Sequence, residues 1–256
     1  MLNKAVGMPD PGQTGSGIAP VLMLGSRMVL FAVWQALIAV VYFFMGHAHP
    51  WEASVAWWPI TVVLTNFTSF FLLRMLARRE GMTWWQLIGA DFRREYLGKD
   101  LLWFLLVLVL AGPIAMIPNV GLAQWLYGDA QVAVDLFTRP LPVAVAAISL
   151  VAFPFTMPIG EMPTYFGYVM PRLTRRFGRG WAITLASLAL GFQHATLPLI
   201  FDGRFVVWRL LMFVPFAFLL GVAVQKRPRL LVYFMMIHPL IDLAAAYPVW
   251  RVSVGG

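Results

Sequence analysis

The chain has 256 residues, of which 61% are hydrophobic and 12% charged, and its mean hydropathy is +0.77. Those values exclude a soluble globular domain of this length and indicate an all-α, polytopic integral membrane bundle. The formal net charge is +8, but the basic residues stand in short clusters between apolar runs, so they read as topology signals and no nucleic-acid partner is expected.

Residues 1–26 are rich in Gly and Pro and lack a compact apolar core followed by a small-residue cleavage site. They are expected to form a flexible cytoplasmic tail, with residues 27–256 as a single integral membrane domain. A first span is expected over Met28–Met45, interrupted by Gln35, and a second over Val55–Leu76. The short connection between them carries His47 and His49, which read as solvated. Residues 74–100 then hold Arg74, Arg78, Arg79, Arg93, Arg94 and Lys99, and the positive-inside rule assigns this loop and the amino terminus to the cytoplasm. Within it, Trp84, Trp85, Leu87, Ile88, Phe92 and Tyr96 recur at about one helical turn, the pattern of a helix lying flat on the inner leaflet.

A third span over Leu101–Trp125 contains Gly112, Pro113 and Pro118, which should kink it or end it early. The apolar region 141–173 is too long for one untilted crossing and contains Pro154, Pro158 and Pro163, so a broken or strongly tilted helix is expected. Arg172, Arg175, Arg176 and Arg179 follow as a second cytoplasmic cluster. Spans over Trp181–Ile200, Phe205–Val224 and Leu230–Val249 complete a bundle of about seven transmembrane helices, or eight if the fourth region splits at its prolines. Trp51, Trp57, Trp58, Trp84, Trp85 and Trp181 read as interfacial anchors. An integral protein of the bacterial cytoplasmic membrane, amino terminus inside, is expected.

Ionisable groups stand inside these spans. Glu161, His194, His238 and Asp242 occupy three otherwise apolar segments, where each costs roughly 2.5–3.5 kcal/mol on insertion scales. At about 1.5 Å of rise per residue, all four lie roughly 14 to 22 Å from the nearest basic cluster, at one level. His238 and Asp242 are four residues apart and share a helix face. A carboxylate shielded from bulk water suits a general base, so Glu161 with His194 could activate a water for attack on an amide carbonyl. His238 and Asp242 could hold the developing oxyanion, the carboxyl group only when protonated or through a water.

These residues carry a family resemblance. GEMPTYFGYVMPRL, then a helix ending in FQH, then HPLID, over about residues 140–250, are similar to the three motifs of the CPBP family, which includes CAAX prenyl endopeptidases and bacteriocin-processing or Abi proteins. The family's pattern is Glu-Glu-x-x-x-Arg, Phe-x-x-x-His and His-x-x-x-Asn on separate transmembrane helices. The resemblance implies an intramembrane endopeptidase of the glutamic type, with Glu161 as water-activating base, His194 as its partner and His238 and Asp242 at the oxyanion, acting without a cofactor on a membrane-anchored protein or peptide. The chain departs from the pattern at Met162, Phe166, Leu190 and Asp242, which stand where Glu, Arg, Phe and Asn are expected. Two alternatives stay open: a catalytically inactive scaffold that binds a partner helix in the same cavity, and a zinc-dependent protease with Glu161, His194, His238 and Asp242 as ligands. With no cysteine in the chain, any metal would need such His and carboxylate ligands.

Overall fold

A computed structural model describes residues 17–90 and 94–255, the side chain of Arg94 excepted. Among these residues there are helices and turns and no strand. A helix satisfies its backbone hydrogen bonds within one segment, which is what an open structure in hydrocarbon requires. Six helical segments are long and apolar enough to cross a bilayer, and the chain is an integral membrane protein.

Helix α1 (Ala19–Phe44) begins nine residues before the expected start of the first span. Pro20 sits in the first turn, where its missing N–H leaves no bond unmade, and apolar residues follow at once. The remainder of the expected tail, residues 1–16, lies outside the described residues. The buried stripe of α1 is Met23, Arg27, Phe31, Gln35 and Ala39, every fourth residue, so two polar side chains face inward. After the exposed His47 and His49 and the short α2 (Pro50–Val55), α3 (Trp58–Arg79) returns between α1 and α7. Trp58 is no interfacial anchor: it is buried at 4% exposure, packs against Phe137 and Phe153, and its indole N–H donates to the Phe137 carbonyl.

The stretch expected to lie flat on the membrane does not form one helix. Its first turn, α4 (Trp84–Leu87), is capped by Thr83 and Gln86 and ends at Gly89, whose φ is +66°; residues 91–93 fall outside the described residues. Leu87 and Ile88 turn inward and the Leu87 carbonyl sits against Gly167, so this turn plugs one end of the bundle. Helix α5 (Arg94–Tyr127) then runs for 34 residues, and Pro113 and Pro118 do not end it early. Most of its side chains face outward, and bilayer-spanning helices accommodate internal prolines far better than water-exposed ones.

After α6 (Ala130–Asp135), the fourth and fifth expected spans are made by α7 (Val143–Met162), a π-helical turn (Pro163–Val169) and α8 (Met170–Phe192), ending in a 3-10 turn (Gln193–Thr196). Their 54 residues would extend about 80 Å as a straight rod, far beyond a hydrocarbon core of about 30 Å. Gly178, with φ +81° and ψ 168°, breaks α8. Beyond it the chain doubles back: Glu161 and Tyr165 meet Gln193, and Phe166 and Ser187 meet at Gly221, pairs placed almost symmetrically about Gly178. Helices α9 (Gly203–Leu211) and α10 (Val214–Lys226) divide the sixth expected span, with Pro215 in the first turn of α10, and α11 (Leu230–Val254) closes the bundle against α7.

Among the described residues, Gly178 divides the longest of the six apolar segments into two limbs. One end of the bundle gathers the basic clusters. There Arg172 pairs with Glu80 and stacks on Tyr168 with its guanidinium 3.8 Å from the ring centre, while Arg227 and Arg229 reach Asp100 at 3.2 and 2.7 Å. The other end is tied by Arg139 to the Glu52 carbonyl and by the Ser253 hydroxyl to the Leu141 N–H.

Candidate active site

The site is built where α7 widens. Pro163 has no N–H for the carbonyl four residues back, and its ring would press on that carbonyl; the backbone relaxes into the seven-residue π-helical turn that follows Glu161. Gly160 makes the close approach of α3 possible. A Cβ there would lie 2.8 Å from the Asn66 Cα and from an Arg27 nitrogen. Glu161, beside it, is 3% exposed.

Helix α11 brings His238 and Asp242 to the same point, the four-residue spacing putting both on one face and Pro239 leaving the helix continuous. The His238 Nε2 lies 3.6 Å from Glu161 Oε1 and 3.3 Å from Asp242 Oδ2. Both distances exceed an ordinary hydrogen bond, and His238 Nε2 lies within ion-pair reach of both carboxyl groups. Asp242 is 7% exposed, and its Oδ2 makes no hydrogen bond within the protein.

His194 is placed differently. Its Nδ1 is 3.1 Å from the carbonyl oxygens of both Leu190 and Gly191, and its ring packs edge-on to Phe213 with centroids 4.7 Å apart. Two carbonyls can only accept, so Nδ1 carries the proton and Nε2 is left as an acceptor. No hydrogen bond or ion pair joins His194 to Glu161. Arg209, itself buried, donates to the His194 and Leu197 carbonyls and holds the 3-10 turn in place.

Two residues that the sequence reading passed over touch Glu161's surroundings directly. Gln193, which is fully buried, donates from its amide nitrogen to Glu161 Oε2. Arg27, also fully buried, donates from Nε to Gln193 Oε1 at 2.7 Å, from Nη1 to Ser69 Oγ at 3.2 Å and from Nη2 to Asn66 Oδ1 at 2.8 Å. The signal was available: Arg27 falls on the stripe Met23, Arg27, Phe31, Gln35. Gln35 makes the matching contact one level away, holding both the N–H and the carbonyl of Leu199. Helix α1 is thus a polar clamp on the segment 193–199.

Met162 and Phe166 are buried in the apolar cluster, with Phe166 against Gly221. No stranded charge marks either position, and the guanidinium near Glu161 comes from α1 instead. Arg172, read as part of a topology cluster, is in fact a buried member of the Glu80 and Tyr168 network. Among the described residues, no group of three or more His, Asp or Glu side chains has the arrangement to hold a metal ion.

Fold and site together define a helical integral membrane protein with a carboxylate and imidazole centre enclosed between its helices. Residues 143–244 match the family described as Type II CAAX prenyl endopeptidase Rce1-like, and this match supports membership of the CPBP family. No curated protein and no solved structure matches the chain. The family implies an intramembrane protease of the CAAX type, with a membrane-embedded peptide substrate.

Proposed function

We propose that the protein is a glutamic intramembrane endopeptidase in which Glu161 is the general base. The observation that carries this reading is that α7 and α11 bring Glu161, His238 and Asp242 together, with His238 Nε2 3.6 Å from Glu161 Oε1 and 3.3 Å from Asp242 Oδ2, and with that Asp242 oxygen unbonded within the protein. A water among these groups gives its proton to Glu161 while its oxygen attacks the scissile carbonyl carbon. The negative oxygen that forms is met by His238, with Asp242 taking part as the protonated acid or through a water. Collapse of the intermediate breaks the C–N bond, and the proton held by Glu161 passes to the departing amine. His194 presents Nε2 as an acceptor, which suits holding a second water or a substrate N–H. The bundle sits in the membrane with seven crossings, amino terminus and basic end in the cytoplasm, and the substrate enters from the lipid or from that side.

The test compares the amino and carboxyl ends of membrane proteins, by mass spectrometry, between cells carrying the wild type and cells carrying Glu161→Gln at equal expression. New ends that vanish only in the variant identify both the reaction and its substrate. Identical ends in the two, with the protein folded and abundant, would remove the protease reading and leave the same helices as a binding site for a partner helix.

A further inference from the structure

Arg27 belongs to none of the three motifs, lies more than a hundred residues before the first of them and is fully buried at their meeting point. An arginine at membrane depth is costly to insert, too costly for a residue that only packs. Its fork of N–H groups donates and cannot accept. The atom of Gln193 that faces Arg27 Nε at 2.7 Å is therefore the amide oxygen, and the Tyr165 hydroxyl donates to the same oxygen at 3.3 Å. With its oxygen held on that side, the Gln193 amide nitrogen has one direction left, toward Glu161 Oε2. A flipped amide would set an NH2 against the guanidinium and a carbonyl against the carboxylate, two repulsions in place of two hydrogen bonds. Asn66 completes the frame: its oxygen takes Arg27 Nη2, which turns its nitrogen to the Thr156 hydroxyl on α7 at 3.1 Å, one turn before Glu161.

We infer that Arg27 is a positioning residue that acts on Glu161 through Gln193, and that it selects which carboxylate oxygen does the work. Oε2 is occupied by the Gln193 N–H, so Oε1, the oxygen facing His238 Nε2, is the one free to take a proton. The inference rests on reading Glu161 as the base, but the geometry it asserts can be tested without turnover. Ser69 and Asn66 on α3 hold the other arms of the guanidinium, so α1, α3, α7 and the 3-10 turn are locked to one another by this group.

The full chain is reconstituted in nanodiscs as wild type, Arg27→Met, Arg27→Lys, Gln193→Leu and the double variant Arg27→Met/Gln193→Leu. The infrared carboxyl band of Glu161 is assigned by its loss in Glu161→Gln. The band is expected to move in Arg27→Met and in Gln193→Leu, to move no further in the double variant, and to return part of the way in Arg27→Lys, whose ammonium still reaches Gln193. A Glu161 band that stays in place in Arg27→Met and Gln193→Leu overturns the inference. Against a substrate, Arg27→Met should lower kcat on the order of 10- to 100-fold with little change in KM, and the double variant should be no slower than Gln193→Leu. Losses that multiply in the double variant, or a change confined to KM, also overturn it. If Arg27→Met does not fold, Gln193→Leu and Arg27→Lys carry the same comparison. A wild type without cleavage whose Glu161 band responds as described supports the positioning and tells against the protease reading alone.

Discussion

Gly160 shows how tightly the neighbourhood of Glu161 is packed at the level of a single atom. A methyl group there would overlap both the α3 backbone at Asn66 and the end of the Arg27 side chain, each at 2.8 Å. The backbone of α3 cannot give way without disturbing Asn66, whose oxygen holds Arg27. Overpacking of this kind costs about 1–3 kcal/mol, so Gly160→Ala is expected to lower the thermal unfolding midpoint in detergent and to cut cleavage more than the stability loss explains, because Arg27 is displaced. Gly112 is a fair control, since a Cβ there meets nothing within 4 Å. Equal stability and activity in Gly160→Ala would mean that the α3–α7 approach is softer than the distances imply.

At the scale of elements, the turn that plugs the basic end depends on a buried pair. Glu80, just past α3, binds Arg172 on α8, with Glu80 keeping 12% side-chain exposure and Arg172 7%. Removing one partner strands the other, which for buried pairs costs about 3–5 kcal/mol, here toward the lower figure because water reaches Glu80. Arg172→Met should therefore destabilise strongly, while Glu80→Leu with Arg172→Met should recover much of the loss, as a denaturation series on the two variants would read. A double variant as unstable as the single would point to the Tyr168 stacking as the main contribution. The opposite end relies on a cap: the Asp202 carboxylate accepts the Phe205 N–H at 2.8 Å and the Tyr127 hydroxyl at 3.2 Å. The Phe205 N–H holds the Asp202 carboxyl below its ordinary value. A depressed carboxyl contributes stability above its unfolded-state pKa and loses it as pH falls through the folded one, so this cap loosens only below about pH 4. Asp202→Ala should cost about 1 kcal/mol at neutral pH, and Asp202→Asn much less. The difference between the alanine variant and the wild type should shrink on acidification.

Over the whole molecule, what the sequence made legible follows the strength of each physical signal. Apolar length and basic clusters are strong signals, and they located the long segments and the common end of Arg172, Arg227 and Arg229. The prolines of α5 do not end the helix early, because internal prolines are better tolerated in bilayer-spanning helices than in water, and the pattern from Trp84 to Tyr96 does not make one helix because a single glycine, Gly89, ends its first turn. At the site, the motifs pointed to Glu161, His238 and Asp242, which do meet, but Arg27 hid at the edge of an apolar run where an arginine looks like a boundary marker. Gln193 hid beside the more conspicuous His194. The fold-back at Gly178 gives this scale its sharpest consequence. If the 54-residue segment doubles back, the number of rods is odd and the two ends of the described chain face opposite sides; if it were one crossing, they would face the same side. The chain has no cysteine, so single cysteines report without background. Arg176→Cys, on an exposed position beside Gly178, should be labelled by an impermeant thiol reagent only from the cytoplasmic side. Val254→Cys and Gln131→Cys, both exposed, should be labelled only from the other. Labelling of Arg176→Cys and Val254→Cys from one side would break the hairpin assignment, and with it the meeting of Gln193 and Glu161 on which the site depends.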